Sequence, residues 1–210
     1  MHTRLRPFHA AVLFSLTTAC GLQAQATDSV GSPRETQRTC SDAAEGATQR
    51  GNDSVYRVSL RTLSSCGEEA GMTLAKAWKQ PPSGPASLRT LTEVSTQVRD
   101  DRVFEAVSIV ASDPSQPVDL RLGAMAVLVN YFDSHLYAEF PEPPQPAVHP
   151  AQYVRLGASA HDLSRPGARP LTAAVRPRIV NLFERLGSTD RNERVKNSAM
   201  FLAKHLRMKL

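Results

Sequence analysis

The sequence predicts an all-α fold built from antiparallel helix pairs, and three observations favour it. Apolar residues recur three or four positions apart through most of the chain from residue 53 onward. No segment alternates apolar and polar residues between hairpin turns. Aromatic residues make up only 6% of the chain, and a core built mainly from leucine, valine and alanine suits packed helices. With 210 residues and 41% apolar content, the chain is long enough for one domain with a buried core.

Three helices are predicted between residues 53 and 98. Asp53 is expected to cap the first, because its carboxylate can accept the free amide hydrogens of a first turn, and Gly67 is expected to end it. The second is expected over Glu68–Lys79, and the turn residues of Pro81–Pro85 break it. Ser87 is expected to cap the third. The apolar positions expected to face inward are Tyr56, Leu60, Leu63, Ala70, Leu74, Trp78, Leu88, Leu91, Val94 and Val98.

A fourth and a fifth helix follow. The fourth is marked by Val103 and three further apolar positions, and it is expected to end at the Asp113-Pro114 turn. The fifth is expected over about Val118–Asp133. It is apolar on nearly every face, which predicts a central, buried position.

A proline-rich irregular insert is predicted at about residues 134–171. Five of the ten residues 141–150 are proline, which lacks an amide donor and therefore disfavours helix and inner strand. Gln152–Leu156 is the only candidate strand in the insert. Beyond it, helix is expected to resume at about Thr172.

The last two helices are expected to meet at a short turn. Gly187 is expected to lie just beyond the end of the first, and Asp190 to open the second. This pair resembles the fourth and fifth helices. In both, a turn containing aspartate precedes a basic residue, Arg121 or Lys196, and then an Ala-Met pair that leads an apolar run.

These helix pairs resemble the HEAT and armadillo types of helical repeat, in which paired helices stack into an α-solenoid. The resemblance covers about Leu88–Asp133 and Thr172–Arg207. It implies a short HEAT-like solenoid that exposes a broad groove and protruding loops. Folds of this type mostly bind other macromolecules, and that expectation rests on the resemblance alone.

The N-terminus has the features of an export signal. Arg4 and Arg6 make a positive region, and Phe8–Ala19 is an apolar run of about 12 residues, shorter than the roughly 20 that span a bilayer. Ala24–Ala26 is a small-x-small cleavage site. The predicted organisation is a signal peptide over residues 1–26, a polar segment, flexible or weakly helical, over 27–52, and a helical domain over 53–210.

Three cysteines bear on where the protein resides. The Ala-Cys-Gly sequence around Cys20 resembles the end of a bacterial lipoprotein signal, although Thr17 stands where that pattern usually has Leu, Val or Ile. We therefore favour cleavage after Ala26 and release, periplasmic or secreted, with membrane anchoring through lipidated Cys20 as the alternative. Either way the compartment is oxidising, and we predict a Cys40–Cys66 disulfide. A reactive or metal-binding pair is the alternative.

No catalytic, cofactor-binding or metal-binding residue is predicted. A metal site could be assembled from His135, His149, His161 and Asp162, but no two of these histidines are four residues apart, and HExxH and CxxC motifs are absent from the sequence. Glycines do not cluster as they do in phosphate-binding loops. A metal-dependent enzyme with its site in residues 133–162 remains the alternative function.

The C-terminal segment Arg176–Leu210 carries nine basic and three acidic residues, a net of +6. Within it, Arg191, Arg194 and Lys196 form a candidate patch for an anionic partner, and a solvated outer face is the alternative. The whole chain has a formal charge of +5, or about +3 without the leader, which with export disfavours nucleic acid. We predict an exported, non-catalytic protein-binding or scaffold module of the bacterial cell envelope. Its partner is another protein or an anionic membrane surface.

Overall fold

The computed structural model describes residues 33–49, 51–134, 136–138, 154–156 and 174–210. Within these residues it contains eight α-helices and one pair of three-residue strands, so the all-α prediction is confirmed. The elements are α1 (Pro33–Gly46), α2 (Asp53–Leu63), α3 (Gly67–Lys79), α4 (Pro85–Gln97), α5 (Asp101–Ser112), α6 (Val118–Phe132), β1 (Leu136–Ala138), β2 (Val154–Leu156), α7 (Val175–Thr189) and α8 (Glu193–Arg207).

The helices stack as pairs in two layers. The pairs are α1–α2, α3–α4, α5–α6 and α7–α8. In one layer α1, α3, α5 and α7 contact one another in that order, and in the other layer α2, α4, α6 and α8 do the same. One continuous apolar core lies between the layers. The predicted stacking of antiparallel helix pairs is therefore confirmed.

Helix α6 is the central helix, as its uniformly apolar sequence predicts. It contacts α4 and α8 in its own layer, α5 and α7 in the other, and strand β1. Its buried side chains include Met125, Leu128 and Phe132. The same helix also buries Arg121, which is only 2% exposed, so a charged group lies within the most apolar element of the fold.

Two predicted helix caps are wrong. Asn52, not Asp53, caps α2: its side-chain oxygen accepts a hydrogen bond from the amide of Val55 at 3.1 Å. Asp53 instead accepts a hydrogen bond from the hydroxyl of Ser87 at 3.1 Å, which links α2 to α4. Ser87 lies inside α4, because that helix already begins at Pro85, whose fixed backbone angle and missing amide suit a first helical position.

The turn between α7 and α8 also differs from prediction. Helix α7 continues past Gly187, where a Cβ atom would lie only 2.7 Å from the Cγ of Met200, so glycine permits the close approach of α8. Asn192 caps α8 by accepting a hydrogen bond from the amide of Val195 at 3.3 Å. Asp190 ends α7 and does not open α8.

The predicted polar segment contains a helix, α1, which a disulfide joins to α3. The Cys40–Cys66 pairing is confirmed, with the two Cα atoms 5.6 Å apart. Gly67 does not end α2; it begins α3 directly after Cys66, with a φ of 52° that favours glycine. Among the described side chains of α1 and the turn that follows it, the buried apolar ones besides Cys40 are the small ones of Ala43 and Ala47. Because these bury little area, the disulfide is a main restraint on α1.

The candidate strand in the insert is confirmed in part. β2 pairs antiparallel with β1, with Leu136 opposite Leu156. The rest of the insert, the predicted signal peptide and Cys20 lie outside the described residues. Among the described helices, none has the length and apolar character needed to cross a membrane.

A buried carboxylate anchors the connection between α4 and α5. Both oxygens of Asp100 accept hydrogen bonds from Arg102, at 2.9 Å from Nε and 2.7 Å from Nη2. Arg102 also donates to the carbonyl oxygen of Glu68 on α3 at 3.2 Å. The buried hydroxyl of Tyr131 on α6 donates to the carbonyl of Val98, and burial raises the pKa of this tyrosine, which keeps the donor protonated. This corner ties α3, α5 and α6 together.

A second buried link joins the α5–α6 pair to the α7–α8 pair. Nε of Arg121 donates to the carbonyl oxygen of Ala111 at the end of α5, at 3.1 Å. Its two terminal nitrogens donate to the two carboxylate oxygens of Asp190. Burial by itself raises the pKa of Asp190, but hydrogen bonds from Arg121 and from the amide of Asn192 outweigh it and hold that pKa below its ordinary value. Asp190 is therefore an anion at neutral pH.

We expect Asp190→Asn to lower the free energy of unfolding by about 3 kcal/mol at neutral pH, because it leaves the buried Arg121 cation without its counter-charge. Since the pKa of Asp190 is lowered in the folded state, the stability it supplies is complete above the ordinary aspartate pKa of about 4 and is lost as pH falls further. Urea unfolding at neutral and at acid pH measures both effects.

Asp119→Asn is the matched control for Asp190→Asn. Asp119 pairs with Arg194 at 3.2 Å, but both side chains are about half exposed, so we expect a loss of about 1 kcal/mol or less. Equal losses for the two variants, or an Asp190→Asn loss that stays constant at acid pH, would contradict the assigned role of the buried pair.

We expect the double variant Cys40→Ser/Cys66→Ser to lower the free energy of unfolding by about 3 kcal/mol, because the disulfide closes a loop with a sequence separation of 26 residues. Chemical denaturation of the variant measures the loss. Reduction of the unmodified protein is expected to produce a similar loss. An unchanged midpoint in both experiments would show that the contacts of α1 suffice without the bond.

Candidate functional site

The main surface feature of the described residues is an open groove between α5 and α7. Helix α5 packs closely against α3 but only lightly against α7. The layer that contains α1, α3, α5 and α7 therefore has a gap between α5 and α7. The groove has a volume of about 560 Å³. Its lining residues are Phe104, Ser108, Ile109, Ser112 and Asp113 from α5 and its end, and Arg178, Asn181, Leu182 and Arg185 from α7.

The apolar part of the groove combines buried and exposed side chains. Phe104 and Leu182 are buried and belong to the core of the protein. Ile109 is 63% exposed, which is unusual for a large aliphatic side chain on a helix that otherwise buries its apolar residues. An apolar ligand group that covers Ile109 would remove its exposed surface from water and thereby gain binding free energy.

Two arginines from α7 line the same groove. The guanidinium of Arg178 lies 4.6 Å above the centre of the Phe104 ring, and its Nη2 is 2.7 Å from a carboxylate oxygen of Glu105. Arg185 makes one long contact across the groove, 3.5 Å from Nη2 to the hydroxyl of Ser112. Arg178 is therefore largely engaged by the protein, whereas most of the hydrogen-bond donors of Arg185 have no partner among the described residues.

Further polar groups suit a ligand that forms hydrogen bonds. The hydroxyl oxygen of Ser108 is buried and has no hydrogen-bond partner among the described residues. Asn181 is exposed on α7 beside Leu182. Hydrogen bonds from Ser115 lower the pKa of Asp113 at one end of the groove, so a carboxylate anion stands there. The groove thus offers apolar contact, donors and one fixed negative charge.

Links at both ends hold the two walls in place. At one end, the Arg178–Glu105 ion pair bridges α7 and α5. At the other end, Arg121 contacts the carbonyl of Ala111 and the carboxylate of Asp190, and so joins the end of α5 to the end of α7. The buried Arg121–Asp190 pair is the stronger of the two links, because Arg178 and Glu105 are about half exposed.

A second, smaller cavity lies where the ends of α1 and α3 meet the start of α2. Its volume is about 240 Å³. Its lining includes Asp53, Tyr56, Lys76 and Pro81. Asp53 is already hydrogen-bonded to Ser87, and no large apolar side chain as exposed as Ile109 lines this cavity. The groove between α5 and α7 is the stronger candidate.

The structure places the predicted basic patch around the α7–α8 turn. Arg194 lies 3.2 Å from a carboxylate oxygen of Asp119, and Lys196 lies 3.9 Å from one of Glu193. Arg191 is exposed. Nearby carboxylates thus offset two of the three charges, and binding of an anionic partner by this patch stays a prediction.

The alternative metal site stays a prediction as well. His135, His149, His161 and Asp162 lie outside the described residues. Within the described ranges, no three His, Cys, Asp or Glu side chains cluster in a way that could hold a metal ion. The groove lining likewise contains no histidine or cysteine from the described part of the chain.

Comparison with known proteins adds no relative: no family model, no curated protein and no solved structure matches this chain.

Proposed function

We propose that this protein is an exported, non-catalytic binding or scaffold module of the bacterial cell envelope, and that the α5–α7 groove is its binding site. The observation that carries the proposal is that the exposed Ile109 and the exposed Arg185 line the same groove, one end of which is held by the buried Arg121–Asp190 pair. This combination suits an extended peptide segment with an apolar side chain and an acidic side chain. The peptide's carboxylate would approach Arg185, and its apolar group would cover Ile109.

We further propose that the stacked pairs are repeats of the HEAT or armadillo type. The two-layer arrangement of four pairs supports this, as does the position of Asp190 in one turn and Arg121 early in the second helix of the preceding pair. In such arrays each pair contacts only its neighbours, and the extended surface that successive pairs form together is used to bind partners.

Export is supported by the features of residues 1–26 and by the Cys40–Cys66 disulfide, which persists in an oxidising compartment. Release after Ala26 remains the favoured processing, and lipidation of Cys20 the alternative. Both place the helical domain outside the cytoplasm. A peptide-binding groove would there meet other envelope proteins.

Peptides selected from a random displayed library test the groove. We expect selected sequences to combine acidic and apolar residues. Their affinity, measured by titration calorimetry, is expected to fall about tenfold or more for Ile109→Asp and for Arg185→Glu, because each removes a central contact of the interface.

Val58→Asp and Arg61→Glu are the matched controls. Val58 is 59% exposed and Arg61 is exposed, and both lie on α2, away from the groove. Two results would contradict the proposed site. One is a peptide affinity that falls equally in the controls and in the groove variants, and the other is an affinity that the groove variants leave unchanged.

The intact mass and N-terminal sequence of the protein from its native cells test export. We expect an N-terminus at Thr27, no acyl chains, and a mass that shows Cys40 and Cys66 oxidised. An N-terminus at Cys20 with acyl chains would contradict the cleavage site but support export. A retained Met1 with both cysteines reduced would contradict export itself.

A further inference from the structure

The second unexplained surface is the exposed side of α8 and of the chain just beyond it, from Met200, which also approaches Gly187 of α7, to Met208 and Lys209 after the end of the helix. Two rows of residues, each spaced by four, run along it. We call these six residues the α8 outer face: Met200, Lys204 and Met208 in one row, and Phe201, His205 and Lys209 in the other.

The α8 outer face exposes an unusual amount of apolar surface for the end of a helical protein. Met200 is 53% exposed and Met208 is 73% exposed. The rings of Phe201 and His205 stack with centroids 6.0 Å apart and are partly exposed. The two flexible methionine side chains therefore expose apolar surface beyond what the core requires, whereas Phe201 packs partly against the core.

The same face is positively charged and has no acidic residue. From Val195 to the C-terminus the sequence contains four basic residues and no Asp or Glu. Lys204 and Lys209 are exposed and form no ion pair with any described residue. Arg207, by contrast, pairs with Glu184 of α7 at 2.8 Å. The face thus keeps two cations available, whereas two of the three charges at the predicted patch are offset.

We propose that the α8 outer face binds an anionic lipid surface, with α8 lying parallel to the membrane plane. The exposed methionines would enter the boundary between headgroups and acyl chains, while Lys204 and Lys209 extend to lipid phosphates. Positive charge beside exposed apolar side chains is the composition that favours an anionic bilayer over neutral lipid.

The shape of this face favours a bilayer over an acidic peptide. Neither of the two cavities described above reaches it, so the apolar side chains stand on the ridge of a helix and do not line a pocket. A peptide needs a concave or flat complement to bury such side chains, whereas lipids rearrange around a ridge. The proposal is independent of the α5–α7 groove, because that groove is formed by different helices.

Binding to vesicles tests the proposal. The full chain is used with Cys20→Ser, so that no attached lipid can contribute. We expect cosedimentation with vesicles of phosphatidylglycerol mixed with phosphatidylcholine, weakening as salt is added, and none with phosphatidylcholine alone. Each basic residue near an anionic surface contributes about fivefold to binding, so Lys204→Gln/Lys209→Gln is expected to bind about 25-fold more weakly.

Two further variants separate lipid binding from general charge. Lys76→Gln/Lys79→Gln removes the same two charges from the last turn of α3, and is expected to bind vesicles as the unmodified chain does. Met208→Gln keeps every charge and is expected to weaken binding. Any of three results would overturn the proposal. The two lysine double variants could lose vesicle binding equally, or Met208→Gln could bind vesicles as well as the unmodified chain. The third is a chain that binds an acidic peptide through Lys204 but does not bind vesicles.

Discussion

The buried ion pair between Arg121 and Asp190 is the interaction on which the rest of this structure depends. Arg121 lies in the central, apolar helix, where an unpaired cation would be strongly destabilising. The α7–α8 turn supplies the carboxylate that pairs with it, Asp190. This contact joins the last helix pair to α6 and links the ends of α5 and α7 at one end of the groove.

The other helix pairs are joined by different polar links. Asp100 and Arg102 hold the α4–α5 connection against α3, Asp53 and Ser87 join α2 to α4, and the disulfide joins α1 to α3. Each link acts between neighbouring pairs, as expected of a stacked array. The buried apolar side chains of α1 and the turn after it are small ones, Ala43 and Ala47, and the disulfide adds a covalent restraint at that end of the array.

Helix positions were predictable from the sequence, but several helix ends were not. The spacing of apolar residues identified the helices from α2 to α8, except α6, which was identified by its uniformly apolar sequence. A repeat of 3.6 residues extends over a whole helix, so a single unusual residue does not hide it. Asn52 and Asp53 are both good capping residues. Asp53 accepts a hydrogen bond from the hydroxyl of Ser87 on another helix, and Asn52 caps α2. Glycine commonly follows the last residue of a helix, so Gly187 was predicted to lie just beyond α7. It lies inside α7 instead, because the close approach of Met200 leaves no room for a side chain.

The sequence by itself determined the helical class, the central position of α6, the cysteine pairing and the excess of positive charge near the C-terminus, because these follow from composition and local spacing. Only the tertiary structure decided that Arg121 of the apolar α6 pairs with Asp190, and how α5 and α7 separate to form a groove. Arg178 and its partner Glu105 are 73 residues apart, so no local pattern relates them. Their proximity arises from helix stacking, which depends on the whole core at once.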